Sequence, residues 1–215
     1  MHFPWFYYVG TTIIKILLLL FTRWQVKGRE NIPKGPVLII ANHLNLIDPP
    51  LLSVSISRRV IFMAKKELFR FPVISYLIGN FGSFPVHRGR GDRQALHQAN
   101  QVLADGLALA LFPEGKRSRH AQLQPAFSGS ALIASHNIGV PILPVGISGT
   151  EKIKGVTWPL HRPKITVNIG SPFYLPPASG KLTKEELVQL TTFIMEHIAG
   201  LLPLEYRGNY AKQGK

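Results

Sequence analysis

The chain has 215 residues, a length that suits one domain with a sizeable hydrophobic core. It contains no cysteine, which excludes disulfides, thiolate zinc sites and a cysteine nucleophile. Lysine and arginine number 25 against 11 aspartates and glutamates, a formal net charge of +14. Such a charge attracts nucleic acid, an anionic bilayer surface or a phosphorylated substrate of the CoA type, and does not choose among them.

The first predicted element is an apolar, aromatic-rich segment from Phe3 to Phe21, in which Lys15 is the only charged residue. About 20 apolar residues span a hydrocarbon core, so a single span is one interpretation. Aromatic side chains prefer the interface and Lys15 can extend to water, which favours an in-plane anchor at least equally. A buried helix of a soluble core is the third alternative. We expect residues 1–23 to anchor the protein at the cell membrane, with the active site facing the cytoplasm.

The body of the chain, residues 24–205, is predicted to form one α/β domain, which begins with a turn-rich segment from Val26 to Gly35. Continuous apolar runs predict strands buried on both faces, and a final alternating run predicts a half-exposed strand. These runs are Val37–Ala41, Val60–Ala64, Phe84–Val86, Leu107–Phe112, Ile142–Ile147 and the alternating Lys164–Ile169. Residues 206–215 are predicted to be a polar, frayed tail.

Helices are predicted between and after these strands, at Leu51–Ser57, Arg93–Ala104, Ser130–His136 and Lys184–Leu202. Thr183 and Glu186 have the spacing of a capping box at the start of the last helix. Strands that alternate with helices indicate an α/β fold, here a layered mixed sheet flanked by helices, with functional sites at the strand ends.

His43 and Asp48 form the first candidate site, immediately after the Val37–Ala41 strand. Asp48 followed by Pro49 is typical of a helix N-cap, and this turn could bring the carboxylate back to the imidazole. A carboxylate on one ring nitrogen fixes the tautomer and stabilises the imidazolium that forms when the other nitrogen takes a proton. The alternative is a helix cap beside an incidental surface histidine.

A second candidate site follows the Leu107–Phe112 strand, where a Pro-Glu-Gly turn precedes Lys116, Arg117, Ser118 and Arg119. Glycine permits a positive φ and guanidinium groups bind phosphate oxygens, so this loop is predicted to receive a phosphate. A solvated basic turn is the alternative. Arg88, in the block from Gly82 to Arg90, offers a weaker second phosphate contact, and the Pro-bounded run from Val140 to Thr150 is interpreted as scaffold.

Four blocks in this order resemble the glycerophospholipid acyltransferase family, which includes bacterial 1-acyl-glycerol-3-phosphate acyltransferases. They are His43 to Asp48, Gly82 to Arg88, Phe112 to Ser118 and Val140 to Val145. The resemblance covers roughly residues 24 to 175. It implies that His43 is a general base oriented by Asp48, and that Arg88 holds the acceptor phosphate. It also implies substrate contacts from a further set of residues, which consists of Lys65, Glu114, Gly115, Lys116, Arg117 and Ser118.

The implied reaction moves a fatty acyl group from acyl-CoA or acyl-carrier protein to the hydroxyl of a lysophospholipid, 1-acyl-glycerol-3-phosphate in the first instance. Lys116 stands where the family usually has threonine, and Ser128 where many members have lysine, so acceptors with other headgroups, glycerol 3-phosphate and a lyso-aminolipid stay open. We expect no metal, no cofactor beyond the acyl-donor co-substrate, and no nucleic-acid partner. A non-catalytic basic protein that binds anionic lipid or nucleic acid is the remaining alternative.

Overall fold

The computed structural model describes residues 4–56, 58–87, 91–176 and 182–211. In these ranges, strands and helices alternate along the body of the chain. The strands are β1 (Arg23–Lys27), β2 (Val37–Ala41), β3 (Val60–Lys65), β4 (Phe84–Val86), β5 (Ala108–Leu111), β6 (Ile142–Ser148) and β7 (Lys164–Ile169). The helices are α1 (Pro4–Phe21), α2 (Asp48–Ser55), α3 (Pro72–Asn80), α4 (Arg93–Ala104), α5 (Gly129–His136), α6 (Trp158–His161) and α7 (Lys184–Gly200).

The described strands form one sheet in the order β1-β7-β6-β2-β5-β3-β4. Neighbours are parallel except β6 and β7, which are antiparallel, so the predicted mixed sheet is confirmed. Because β6 runs parallel to β2 and antiparallel to β7, the carboxyl ends of β2, β5 and β6 lie at the same sheet edge as the amino ends of β7 and β1. We call this edge the catalytic edge, since His43, the candidate general base, follows β2 there.

Helices cover both faces of the sheet, because β2 is apolar on both sides. Leu38 and Ile40 belong to the core beneath α4, α5 and α7, whereas Val37 and Ile39 belong to the core beneath α1 and α2. Burial of each such side chain contributes about 1.5–3 kcal/mol. The two cores fix the position of β2 and therefore the position of the loop that follows it.

Three elements differ from the sequence prediction, of which the short helix α6 is one. The predicted turn-rich segment begins inside β1, whose Trp24 and Val26 pack on the core while the alternate, polar positions face water. Only two of its five residues are apolar and inward-facing, too few for an apolar run to show. Helix α3 was not predicted either; it begins at Pro72 and keeps most of its apolar side chains exposed.

Helix α1 packs against α2 and against the end of α3. Leu18 and Tyr7 are buried, and the Tyr7 hydroxyl accepts a hydrogen bond from the Val60 N–H at 3.2 Å. Many of its other large apolar side chains are exposed, namely Trp5, Tyr8, Val9, Ile13, Ile16, Leu17, Leu19, Leu20 and Phe21. No helix in the described part of the chain has the combined length and apolar character needed to cross a bilayer.

The carboxyl-terminal region closes the second core. Thr183 and Glu186 form the predicted capping box at the start of α7. Tyr206, assigned to a polar tail from the sequence, is instead buried, and its hydroxyl donates a hydrogen bond to Glu151 at 2.8 Å. Residues 207–211 continue in short 3-10 turns, and residues 212–215 lie outside the described ranges.

Candidate active site

The loop after β2 is held at the catalytic edge by Asn42. Its side-chain amide donates to the Ile147 carbonyl at 2.8 Å, and its side-chain oxygen accepts from the Ile147 N–H at 2.7 Å. This pair extends the β2–β6 pairing by one step beyond the last residue of β2. His43 therefore leaves the sheet from a fixed backbone position. No separate signal in the sequence marked this role of Asn42.

His43 and Asp48 are brought together as predicted. His43 Nδ1 lies 2.8 Å from Asp48 Oδ2, and the carboxylate is fully buried. The same Oδ2 accepts hydrogen bonds from the Leu44 and Asn45 N–H groups at 2.6 and 2.7 Å. The predicted N-cap role is wrong: Asp48 is the first residue of α2, and its carboxylate turns back to the preceding loop. Three donors meeting at one oxygen fix the loop and the ring together.

The His43 ring stacks on Phe112, with centroids 4.3 Å apart and planes 21° apart. Its side chain is 10% exposed, and Nε2 has no hydrogen-bond partner among the described residues. Since Nδ1–H is directed to Asp48, Nε2 carries the free lone pair. The arrangement can therefore take a proton at Nε2 and stabilise the resulting imidazolium through Asp48.

Glu114 fixes the other side of the His43 backbone. Its Oε1 accepts from the His43 N–H and its Oε2 from the Gln124 N–H, both at 2.8 Å. Burial raises the pKa of the Glu114 carboxyl to about 7, although the two N–H groups act in the opposite direction. The side chain is 1% exposed. The structure thus places Glu114 behind the site, holding two loops together.

The loop that contains Glu114 also pairs with the His43 loop through Ser118, whose N–H donates to the His43 carbonyl at 2.8 Å. Ser118 is buried, whereas Lys116 and Arg117 are exposed at the same edge. Gly115 has a φ of 65°, a left-handed conformation that glycine adopts without strain. The loop therefore exposes three cations, Lys116, Arg117 and Arg119, while its buried residues fix its backbone to the His43 loop.

The structure describes Lys65 but not Arg88. Lys65 ends β3, is about half exposed and lies 3.6 Å from Glu67 in an ion pair. Arg88 lies outside the described residues, so its predicted phosphate contact stays a prediction. Within the described ranges, no group of three histidine, aspartate or glutamate side chains could hold a metal ion.

An apolar pocket of about 340 Å³ begins beside Phe112, the residue on which His43 stacks. It lies between β3, β5, α4 and α5. Its walls are largely apolar and include Met63, Leu96, Leu111, Phe112, Leu132 and Ile133. A cavity with largely apolar walls suits an apolar ligand.

A second histidine–aspartate pair lines the same pocket. His87 donates its backbone N–H to Asp92 Oδ2 at 2.8 Å, and its Nδ1 lies 3.1 Å from that oxygen. The N–H groups of His87 and Ala95 lower the pKa of Asp92 to about 2. The pair was missed in the sequence, where its spacing, identical to that of His43 and Asp48, was the available signal.

The fold and the site together define a class: an α/β protein with a carboxylate-backed histidine at the end of a buried strand, beside exposed cations and an apolar pocket. The family model for acyltransferases matches residues 23–148, more than half of the chain. The chain belongs to the acyltransferase family.

Named relatives agree with this membership. A chloroplastic 1-acyl-sn-glycerol-3-phosphate acyltransferase of Brassica napus is 28% identical over 78% of this chain and 50% of its own length. A lyso-ornithine lipid O-acyltransferase of Pseudomonas aeruginosa is 30% identical over 58% of this chain and 48% of its own. The chain spans about half the length of the first curated relatives it matches.

A solved structure shows the same fold. The 1-acyl-sn-glycerophosphate acyltransferase PlsC of Thermotoga maritima superposes with a TM-score of 0.67 at 28% identity. The match covers 91% of this chain and 78% of that one. The mixed α/β architecture described above is therefore the architecture of that enzyme.

Proposed function

We propose that this chain transfers a fatty acyl group from a thioester donor to the free hydroxyl of a lysophospholipid. The acceptor proposed is 1-acyl-glycerol-3-phosphate and the product phosphatidic acid. The observation that carries the proposal is the free Nε2 of His43, backed by Asp48 and located beside an apolar pocket. The names of the relatives support the same acceptor.

In the proposed step, His43 Nε2 takes the proton of the acceptor hydroxyl as its oxygen attacks the thioester carbonyl. The new C–O bond forms, the C–S bond breaks, and the imidazolium returns its proton to the departing thiolate. Such general-base help contributes about 10²–10⁴-fold. No covalent acyl-enzyme is required, because the substrate hydroxyl is the nucleophile. The donor is acyl-CoA or acyl-carrier protein, used as a co-substrate.

The acceptor phosphate is proposed to meet the cations at the catalytic edge. Lys116 and Arg117 are exposed next to the His43 loop, and Arg88 and Lys65 are proposed to complete this contact. The pocket beside Phe112 is proposed to hold an acyl chain. Glu114, Gly115 and Ser118 would contribute by fixing the backbone of the loop that faces the acceptor.

A lyso-aminolipid is the second candidate acceptor. The lyso-ornithine lipid acyltransferase of Pseudomonas aeruginosa is similar over more than half of this chain. Lys116, which stands where the resembled family usually has threonine, alters the charge that faces the acceptor headgroup. A panel of acceptors assayed with a single donor separates the two candidates.

The proposed location is the membrane surface, with peripheral attachment through α1 and the catalytic edge facing the cytoplasm. The exposed apolar face of α1 supports this attachment. An amphipathic helix that lies in the interface buries such a face among lipid chains. No nucleic-acid partner is proposed, because the exposed cations of the catalytic edge lie beside a histidine–aspartate pair and an apolar pocket.

The test replaces His43 with Ala and follows product formation by lipid mass spectrometry, using mixed acyl-CoAs and several lyso-acceptors. His97→Ala on α4 removes an exposed imidazole outside the pocket and is the matched control. We expect the His43 variant to lose transfer by about 10²–10⁴-fold with an unchanged circular dichroism spectrum. Near-native turnover by this variant would contradict the proposal.

A further inference from the structure

A second cavity, of about 440 Å³, lies at the foot of α1. Its lining contains four cations and a histidine beside one tryptophan, and no acidic residue: Arg23, Lys152, Lys154, His161 and Lys164, with Trp158. Among the described residues, none of these basic side chains has an ion-pair partner. We call this cavity the basic pocket. Uncompensated positive charge around a concavity is the chemistry that binds a phosphate group.

The nearest acidic residue in the sequence faces elsewhere. Glu151 accepts the Tyr206 hydroxyl on one oxygen at 2.8 Å and the Gly149 N–H on the other at 3.0 Å. Both contacts turn its carboxylate toward the core. His161 donates Nδ1–H to the Thr157 carbonyl at 2.9 Å, which leaves its Nε2 for another partner. The charge of the basic pocket is therefore available to a ligand from outside.

The basic pocket adjoins the apolar end of α1. The Phe21 and Trp158 rings meet edge-on with centroids 6.3 Å apart. Arg162 donates to the carbonyls of Leu19 and Thr22, and its own carbonyl accepts from Arg23 Nε at 3.1 Å. These contacts fasten α1 to the segment that contains α6.

Two exposed apolar side chains adjoin lining residues of the basic pocket in the sequence. Val156 is 93% exposed and Leu160 84% exposed, next to Lys154 and His161. A soluble anion would make no use of the exposed apolar groups that adjoin its site. A phospholipid does, because its phosphate lies directly above its acyl chains in the leaflet.

The basic pocket is also on the catalytic edge. It includes the first residues of β1 and β7 and the turn after β6. The Asn45 side-chain amide donates to the Thr150 and Ile153 carbonyls at 3.0 and 3.1 Å, which joins this turn to the His43 loop. A ligand in the basic pocket would therefore lie on the same side of the molecule as the reacting groups.

We propose that the basic pocket binds the headgroup phosphate of an anionic phospholipid in the bilayer, as a site separate from the acceptor site at His43. The bound lipid is a structural ligand and not a substrate. Its phosphate meets Lys152, Lys154 and Lys164, and its chains continue along Phe21, Val156 and Leu160. The site would fix how the catalytic edge faces the leaflet.

The test compares Lys152→Ala/Lys154→Ala with Lys27→Ala/Lys34→Ala. Both pairs remove two positive charges, but Lys27 lies at the opposite end of β1 from the basic pocket. Binding is measured by co-sedimentation with vesicles of phosphatidylcholine alone and with vesicles containing phosphatidylglycerol. Turnover is measured separately on a short-chain, monomeric acceptor without vesicles.

We expect the pocket pair to weaken binding to the anionic vesicles by about 30-fold, since each basic residue near such a surface contributes about 1 kcal/mol, and the control pair by less than about threefold. Turnover on the monomeric acceptor stays native in both. Equal weakening by the two pairs would show that only net charge matters, and would overturn the proposal. Loss of turnover in the vesicle-free assay would make the cavity a substrate site and overturn it too. Vesicle binding does not depend on catalysis, so either result leaves the proposed reaction to its own test.

Discussion

Replacement of Asp48 with asparagine separates the charge of this side chain from its shape. In the structure, Oδ2 accepts from His43 Nδ1 and from the Leu44 and Asn45 N–H groups, whereas the buried Oδ1 has no hydrogen-bond partner among the described residues. In the Asp48→Asn variant, the amide oxygen will therefore occupy the Oδ2 position, because the amide NH₂ would face three donors there. The loop and the histidine tautomer are retained, and the negative charge is lost.

The electrostatic stabilisation that is lost with this charge can be estimated from the geometry. A carboxylate and an imidazolium about 4 Å apart attract each other by about 4 kcal/mol at an effective dielectric constant of 20. A neutral hydrogen bond to the amide recovers about 1 kcal/mol. We therefore expect Asp48→Asn to lower kcat by about 10²–10³-fold. The free energy of unfolding should change by no more than about 2 kcal/mol, because the NH₂ replaces an oxygen that also lacked a partner.

Asp48→Ala is the contrasting variant. It leaves the Leu44 and Asn45 N–H groups buried without an acceptor, at about 1–3 kcal/mol each, so the free energy of unfolding should fall by about 2–6 kcal/mol. Urea titration measures stability, and single-donor turnover at saturating acceptor measures kcat. Turnover of Asp48→Asn within about threefold of the native value would refute the role given to the charge. Equal stability of the two variants would refute the role given to Oδ2.

Three further predictions concern the parts around this pair. Burial raises the folded pKa of Glu114 from 4.5 to about 7, so its contribution to stability is complete below pH 4.5 and is lost as the pH rises to 7, by on the order of 3 kcal/mol. Glu114→Gln should flatten this pH dependence of the free energy of unfolding in urea titrations between about pH 5 and 8. An unchanged slope would contradict the burial argument. Leu132→Trp should fill the pocket beside Phe112 and shift acyl selection toward shorter chains in a mixed acyl-CoA assay, while Ile138→Trp on the exposed surface should not. Gly149 has a φ of 92°, and a Cβ there would clash with the Lys164 carbonyl oxygen. Gly149→Ala should therefore lower the free energy of unfolding by about 2 kcal/mol or more. A native melting curve for this variant would show that the position does not require glycine.

The sheet was largely predictable because β2, β3, β5 and β6 are continuous apolar runs that are mostly buried, as such runs predict. The apolar run of β4 also forms a strand, but this strand is last in the sheet and only partly buried. The β7 alternation and the Thr183 capping box were equally direct signals. β1 was missed because its polar alternate positions resemble a surface turn. Helix α3 was missed because its apolar residues are exposed, so that no buried stripe marks it in the sequence.

The candidate site was predictable in its residues but not in its hydrogen bonds. The spacing of His43 and Asp48 indicated their contact. It could not show that Asp48 would turn back to its own loop, because the N–H donors of a helix start and of a preceding loop are equally close in sequence. Glu114 was expected at the substrate, whereas its carboxylate lies behind His43; only the fold reveals which backbone groups surround it.

The junction between α1 and the sheet has a mechanical consequence. Thr22 alone separates Phe21 from Arg23, is buried, and its hydroxyl donates to the Leu18 carbonyl at 2.6 Å. Arg162 is hydrogen-bonded to the same turn, so α1 is joined rigidly to the sheet and not through a flexible linker. A surface that binds α1 therefore also sets the height and tilt of His43 above that surface. A few glycines inserted at position 22 would break this junction and leave only the packing of α1 on α2 and α3 to set that orientation.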